Sequence, residues 1–408
     1  MLKCHSQLSF QFLSLIIPIK MKNNLSLYVH IPFCVKKCLY CDFLSFPAND
    51  DLIKSYFEAL RREIVISSPE FVDYDVRSIF FGGGTPSFVD AKEICDMLHL
   101  IKQRFIVSAD AEISIEANPA SAMREKLFSY RETGFNRLSI GAQSLNDDEL
   151  KKLGRVHDSR MFYETYENAR KAGFDNINID IMSALPDQSL ESYLATVKKV
   201  ISLKPEHISA YSLIVEEGTP FYDMELSLPS EELDREMYHE TKSLLAESGY
   251  HRYEISNYAL SEKTECFHNK VYWKRGNYLG LGLGASSMVK NTRWNNITDM
   301  GQYKRAFESD AALDYKENVQ ELSKEEQMEE FMFLGLRLVE GVDLDRFKDC
   351  FDRDIYDVYS ETIEKYIGMG LLETYDSLNE DGIRARKLRL TDRGLDVSNT
   401  VMADFLLT

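Results

Sequence analysis

Six short runs of strand-like character divide the first half of the chain: LSLYVHI from Leu25, RSIFFGG from Arg77, EISIEAN from Glu112, NRLSIGA from Asn136, NINIDIM from Asn176 and EHISAYS from Glu206. Between them apolar residues recur at helical spacing, over Asp51–Ile66 and Ala91–Phe105 and again in SAMREKLFSYRETG and SRMFYETYENARKAG. Such alternation predicts βα units and a mainly parallel sheet. Three joins, ETGFNRLSI, KAGFDNINI and ESGYHRYEI, share a glycine, an aromatic and a strand-like run. Gly134, Gly173 and Gly249 are predicted to close helices in a left-handed turn, with the aromatic packing back on the last turn. Six units predict a partial (β/α)6 barrel, whose sites lie at the carboxyl ends of the strands.

The pattern changes after Leu226. SEELDREMYHETKSLLAESG opens with a Ser cap and reads as a helix, followed by YHRYEISNYAL. From Ser323 the chain is helical and then reads as a winged helix: IEKYIGMGLLETYD as helix, turn and strand, ARKLRLTDRGLDVSN as a strand and a final helix capped at Thr391. The predicted class is α/β: the partial barrel over 21–230, a connecting region over 231–320, and a smaller, mostly helical, winged-helix-like domain over 321–408. Residues 1–20 are set apart. LSFQFLSLIIPI, Leu8 to Ile19, has the look of a signal-peptide core but is too short to span a bilayer and lacks a small-x-small cleavage site, which points to translation starting at Met21.

Charge narrows the partners. Against 48 basic side chains stand 66 acidic ones, a net −18 over 408 residues, so nucleic acid or an anionic membrane would have to be bound against the overall field. The winged-helix end is therefore assigned a packing or lid role, and small molecules or proteins remain as partners. Seven cysteines, with Cys4, Cys95, Cys266 and Cys350 scattered, suit a reduced cytoplasmic protein better than a secreted disulfide framework.

The remaining three cysteines carry the chemistry. HIPFCVKKCLYCDF places Cys34, Cys38 and Cys41 directly after the first predicted strand. Iron–sulfur sites and structural zinc are ordinarily closed by four ligands. Three thiolates on a cubane leave one iron open to a small molecule, which makes a reactive centre. The alternatives are a zinc site, which would want a fourth ligand near this spacing, and inert buried thiols. His30 is read as structural. LGLGLGASS, from Leu279, has neither GxGxxG spacing nor a following Lys–Ser and reads as a close-packed turn beneath the site.

CxxxCxxC, FGGGTPS, EANP, GAQS, GRVHDS and NIDIM, in order after successive strands, resemble the radical S-adenosylmethionine (SAM) superfamily, in the branch shared by the oxygen-independent coproporphyrinogen III oxidase and the haem chaperones. The likeness runs from about Leu25 to the C-terminus. It implies a [4Fe–4S] cluster on Cys34, Cys38 and Cys41, and SAM chelating the open iron for reductive carbon–sulfur cleavage. It also assigns the SAM residues: Gly83, Gly84 and Thr85 along the methionyl part, Glu116 facing its ammonium, Arg155 its carboxylate, Gln143 and Asp180 the ribose, Tyr40 the adenine, and Tyr28 at the head of the motif.

Two functions share that scaffold. The decarboxylating oxidase carries a further cysteine where this chain has Phe43, and a longer N-terminal region. CFHNKVYW, from Cys266, contains HNxxYW, the mark of the haem chaperone branch. The resemblance thus implies haem binding by His268, Asn269, Tyr272 and Trp273, with His268 as axial ligand and Cys266 as a second candidate. The residues alone equally allow His268 and Asn269 to bond the turn while Tyr272 and Trp273 fill core. The expected function is a haem chaperone delivering haem to haem-dependent acceptors, a membrane-associated respiratory protein among the candidates, with no nucleic acid and a homodimer left open. The oxidase is the alternative.

Overall fold

The structure is a computed structural model and describes residues 23–309, 314–378, 382 and 384–407. The Leu8–Ile19 stretch lies outside the described residues.

All six predicted strands form. They are β1 (Asn23–Ile31), β2 (Tyr74–Gly83), β3 (Ile106–Ala117), β4 (Arg137–Gln143), β5 (Ile177–Ser183) and β6 (His207–Ser212). They pair in parallel and in chain order. The helices between them are α1 (Asp50–Ser67), α2 (Ala91–Arg104), α3 (Arg124–Thr133), α4 (Asp147–Lys152), α5 (Ser159–Ala172) and α6 (Leu190–Leu203). Asn49, Asp90, Asn146, Asp158 and Ser189 cap five of these helices by accepting a backbone N–H. The glycine device is present: Gly134, Gly173 and Gly249 have φ of 109°, 93° and 87°. Phe135, Phe174 and Tyr250 behind them are buried and return their N–H to Tyr130, Ala169 and Leu245.

Period-two alternation gives the sheet two unlike faces. Leu27, Val29, Ile79, Phe81, Ile113, Ile115, Leu138, Ile140, Ile177 and Ile179 join the helices in one core. Most of the intervening residues are polar, and several bond to each other across strands: Ser78 to Ser26, Asn178 and Asp180 to Ser139, Tyr211 to Gln143. A face of this kind is stable only if something covers or uses it.

Strands from within the stretch 231–320 join the same sheet. After α7 (Glu231–Glu247), the strands β7 (His251–Arg252) and β8 (Asn257–Ala259) run antiparallel on the β6 edge, so the third glycine join leads into a hairpin instead of another βα unit. Then α8 (Phe267–Trp273) leads to β9 (Tyr278–Leu281), parallel to β1, and to β10 (Ser286–Val289), β11 (Thr292–Asn296), α9 (Met300–Ala306) and β12 (Lys316–Glu321). Among the described residues the result is a mixed sheet of twelve strands. The LGLGLGASS glycines are the close-packed turn expected. A Cβ on Gly282 would lie 2.4 Å from the Tyr56 hydroxyl and 2.8 Å from the His30 carbonyl. The Gly282 N–H donates to buried Glu63 at 2.7 Å.

The C-terminal unit has its own core. It comprises α10 (Lys324–Gly335), β13 (Val342–Asp343), α11 (Leu344–Phe351), α12 (Tyr356–Gly368), β14 (Leu372–Leu378), β15 (Arg384–Leu390), α13 (Asp392–Asp396) and α14 (Ser398–Ala403). Its strands are antiparallel in the order β13-β15-β14. Thr391 caps α13 through its hydroxyl, as the sequence indicates.

Candidate functional site: a three-thiol cleft at the carboxyl ends of the strands

The loop leaving β1 is closed on itself. Phe46 N–H donates to Pro32 at 2.9 Å and Cys34 N–H to Phe46 at 3.2 Å. Buried His30 sits between the two ends: Nε2 lies 2.9 Å from the Leu44 carbonyl and Nδ1 3.1 Å from the Tyr28 hydroxyl. Burial lowers its pKa, so the ring stays neutral and serves as a clamp. The glycines at the end of β2 and just after it make room for this loop. A Cβ on Gly83, whose φ is +111°, would come within 2.5 Å of the His30 ring, and one on Gly84 would lie 2.8 Å from the Phe33 carbonyl and 3.0 Å from Cys34 Sγ. Gly84 and Thr85 N–H groups bond the Ile31 and Phe33 carbonyls. The first duty of these glycines is to the protein's own loop.

The loop, β2 to β6 and the α4–α5 turn enclose a cleft of about 480 Å³. Its walls bring together Cys34, Cys38, Cys41, Tyr40, Gly83, Gly84, Thr85, Glu116, Gln143, Arg155 and Asp180. Of the residues assigned to SAM, Tyr28 alone is not in the lining; it lies one layer down, stacked on Phe80.

Each carboxylate has a defined environment. Glu116 Oε2 accepts the Gly83 N–H at 3.2 Å, and burial, with the Asp180 charge adding to it, pushes its pKa up to about 8. Asp180 accepts from Asn178 at 2.7 Å and Ser139 at 3.2 Å, and burial raises its pKa too. Two carboxylates held at a cost in charge are suited to a cationic or hydroxyl-rich ligand. Gln143 stands at a shift of register between β4 and β5 with φ of +64°, which turns its amide into the cleft, where Oε1 accepts the Tyr211 hydroxyl at 3.0 Å. Arg155 Nη2 donates to the Gly141 carbonyl at 2.7 Å and Nη1 lies 3.7 Å from Cys38 Sγ, while Nε has no partner.

The thiols fit an iron–sulfur cluster. Thr85 Oγ1 donates to Cys34 Sγ at 3.5 Å and burial pushes the Cys41 thiol up. No group of three His, Cys, Asp or Glu among the described residues converges tightly enough for a single ion. Three thiols spaced around a cleft suit a body of several irons, each taking one thiolate. The other described cysteines are elsewhere: Cys95 on α2, Cys350 on α11, and Cys266 buried against Glu112.

Sequence reasoning did not single out Tyr211, Ser139, Met182 or Asn118, which also line the cleft. Ser139, Met182 and Tyr211 lie at period two along β4, β5 and β6, so marking the polar face of each strand would have found them.

The HNxxYW residues lie apart from the cleft. His268 packs on β2 beside Ser78, five residues toward the amino end from Gly83, roughly 17 Å of strand. Its ring is fully buried, Nδ1 2.8 Å from Ser78 Oγ and Nε2 2.8 Å from the Tyr272 hydroxyl, stacked on Phe80. Burial lowers its pKa to about 3. Glu112 holds the start of α8 through the Phe267 and His268 N–H groups. Asn269 and Tyr272 are half-buried, and Trp273, under the Arg337 guanidinium, lines a cleft of about 310 Å³ against the C-terminal unit.

A parallel βα sheet with three thiols after its first strand and a polar, carboxylate-bearing cleft at the strand ends is the arrangement of the radical SAM class, and comparison places the chain in that class. Residues 28–200 match the radical SAM superfamily and residues 322–397 the HemN C-terminal domain. The chain belongs to the radical SAM superfamily and, within it, to the family of the heme chaperone HemW. It is 36% identical over 386 residues to the heme chaperone HemW of Lactococcus lactis, covering 94% of this chain and 97% of the relative. With the heme chaperone HemW of Bacillus subtilis identity is 35%, covering 93% and 99%. Among solved structures it is similar to the coproporphyrinogen III oxidase HemN of Escherichia coli, a radical SAM enzyme, with a TM-score of 0.80 at 26% identity over 95% of this chain and 91% of that one.

Proposed function

We propose that the protein is a haem chaperone that holds a [4Fe–4S] cluster and SAM in the three-thiol cleft, binds haem through the HNxxYW segment, and passes it to haem-dependent acceptor proteins. The observation that carries this reading is similarity to heme chaperones along nearly the whole chain, with HNxxYW intact.

When bound, the cluster and SAM supply one-electron chemistry at a carbon–sulfur bond. The chain's own residues do the rest. Cys34, Cys38 and Cys41 hold the cluster, Gly84 lets the loop close on it, and His30 fixes the loop's two ends. Glu116 and Asp180 receive the ligand's ammonium and a ribose hydroxyl, Gln143 a second hydroxyl, and Arg155 the carboxylate, with Tyr40 beside the adenine. His268, kept neutral by burial, is in the form that ligates iron. Both its nitrogens are engaged, so ligation exchanges two hydrogen bonds, each worth roughly 1 kcal/mol, for an iron–nitrogen bond and requires α8 to turn its ring outward. Tyr272 and Trp273 would then flank the macrocycle.

We read the six parallel strands as a partial barrel and the C-terminal unit as a winged helix that packs as a lid. The acceptors we propose are haem proteins, membrane-associated respiratory ones included, met in the cytoplasm; among the described residues no helix is long and apolar enough to cross a membrane. A homodimer is compatible with this reading. The oxidase is a second reading favoured by the fold match to HemN. Against it stands Phe43, 61% exposed at the cleft mouth, in place of that enzyme's further cysteine. The test is transfer: haem-loaded protein mixed with a haem-free acceptor should yield the acceptor's haem spectrum faster than free haem does, and equal rates would refute the proposal.

A further inference from the structure

Arg155 enters the cleft from the turn between α4 and α5, and its nitrogens meet three different surroundings. Nη2 donates to Gly141, Nη1 points at Cys38 Sγ from 3.7 Å, and Nε is shut off from solvent without a partner. The groups that act most on it are the Tyr40 and Tyr211 hydroxyls and the Cys38 sulfur. A cation held off the bulk solvent needs an anion, and a ligating cysteine is a thiolate. A guanidinium donor brings a full positive charge to the thiolate, which a neutral donor such as Thr85 on Cys34 does not.

We propose that Arg155 is a positioning residue for the cluster as well as for its ligand: Nη1 hydrogen-bonds the Cys38 thiolate and raises the cluster's reduction potential. This rests on the cluster reading. The couple is the oxidised 2+ core taking one electron from an added reductant to become the 1+ core, with no bond made or broken. With three thiolates the site passes from net −1 to net −2, so a fixed cation on one thiolate favours the reduced form, and hydrogen bonds to sulfur act in the same direction.

The experiment is an anaerobic dithionite titration of the reconstituted full chain, followed by electron paramagnetic resonance without SAM or haem, after iron and sulfide have been counted. Arg155→Gln should lower the reduction equilibrium constant at least tenfold, a fall in midpoint of 59 mV or more for one electron. Arg155→Lys and Thr85→Val should each lower it by less. Were Arg155 there for the ligand alone, the ligand-free midpoint would not move, and an unchanged midpoint in Arg155→Gln with full iron and sulfide overturns the proposal. If that variant does not assemble a cluster, Arg155→Lys decides: its ammonium keeps the charge but not the fork that reaches Sγ, and a wild-type midpoint there is equally fatal. Absence of a cluster from the wild type is a separate outcome, which removes the cluster reading and this inference with it.

Discussion

Glu116 offers the most quantitative test of the cleft. Its carboxyl, ordinarily near 4.5, is pushed up to about 8 by burial and by Asp180, with the Gly83 N–H and the Arg137 charge offsetting them in part. The folded protein therefore favours the neutral acid, while the unfolded chain ionises as pH passes 4.5. Stability consequently falls between about pH 4.5 and pH 8, by at most about 5 kcal/mol at 1.36 kcal/mol per unit, and by less to the extent that water in the cleft reaches the carboxylate. Glu116→Gln keeps the shape and removes the ionisation. Its melting temperature should exceed that of the ligand-free wild type at pH 8, and the difference should close near pH 5. A cationic ligand reverses the preference. At pH 7 an acid with a pKa of about 8 is about nine-tenths protonated, so SAM binding should expel about 0.9 proton more from the wild type than from Glu116→Gln. Calorimetry in two buffers of different ionisation enthalpy counts those protons. Equal proton release in the two proteins, together with parallel melting curves from pH 5 to 8, would refute the assignment of Glu116 to the ligand's ammonium.

Further outcomes follow from the same geometry. Cys34→Ser, Cys38→Ser and Cys41→Ser should each lose the four-iron cluster on anaerobic reconstitution, while Cys95→Ser and Cys350→Ser keep wild-type iron and sulfide; retention of full iron by all three would contradict the site. Gly84→Ala places a methyl within 3.0 Å of Cys34 Sγ and of two backbone carbonyls, so it should reduce cluster occupancy at least several-fold while circular dichroism stays unchanged. The wild type should fail to support haem-free anaerobic growth of a strain lacking the oxygen-independent coproporphyrinogen III oxidase; growth would favour the second reading.

The sheet was legible because apolar and polar positions alternate along most of β1 to β6, with Phe80 and Met182 as exceptions, and three helix ends carry the same glycine–aromatic signal. The cleft was legible because its chemistry is spaced along short motifs at strand ends. Between 231 and 320 the Ser-capped helix and the glycine turn were legible, but the strands were not. Strands as short as His251–Arg252 and Asn257–Ala259 have too few residues to show a period, and the parallel pairing of Tyr278–Leu281 with β1 joins segments some 250 residues apart. The role of Gly83 and Gly84 was only half readable, since a glycine reports that something comes close and not whether it is ligand or loop. His268 is the converse case: its motif is plain in the sequence, but only the packing shows that Ser78 and Tyr272 already occupy both ring nitrogens.

Haem binding is the central claim, and an anaerobic spectral titration of the reconstituted wild type and His268→Ala, run beside a coproporphyrinogen conversion assay, tests it most directly. The account predicts saturable uptake of haem by the wild type with a shifted Soret band, at least tenfold weaker uptake by His268→Ala with the cluster's iron and sulfide retained, and no conversion of coproporphyrinogen by either. A wild type that takes up no haem to saturation and converts coproporphyrinogen III to protoporphyrinogen IX would contradict it.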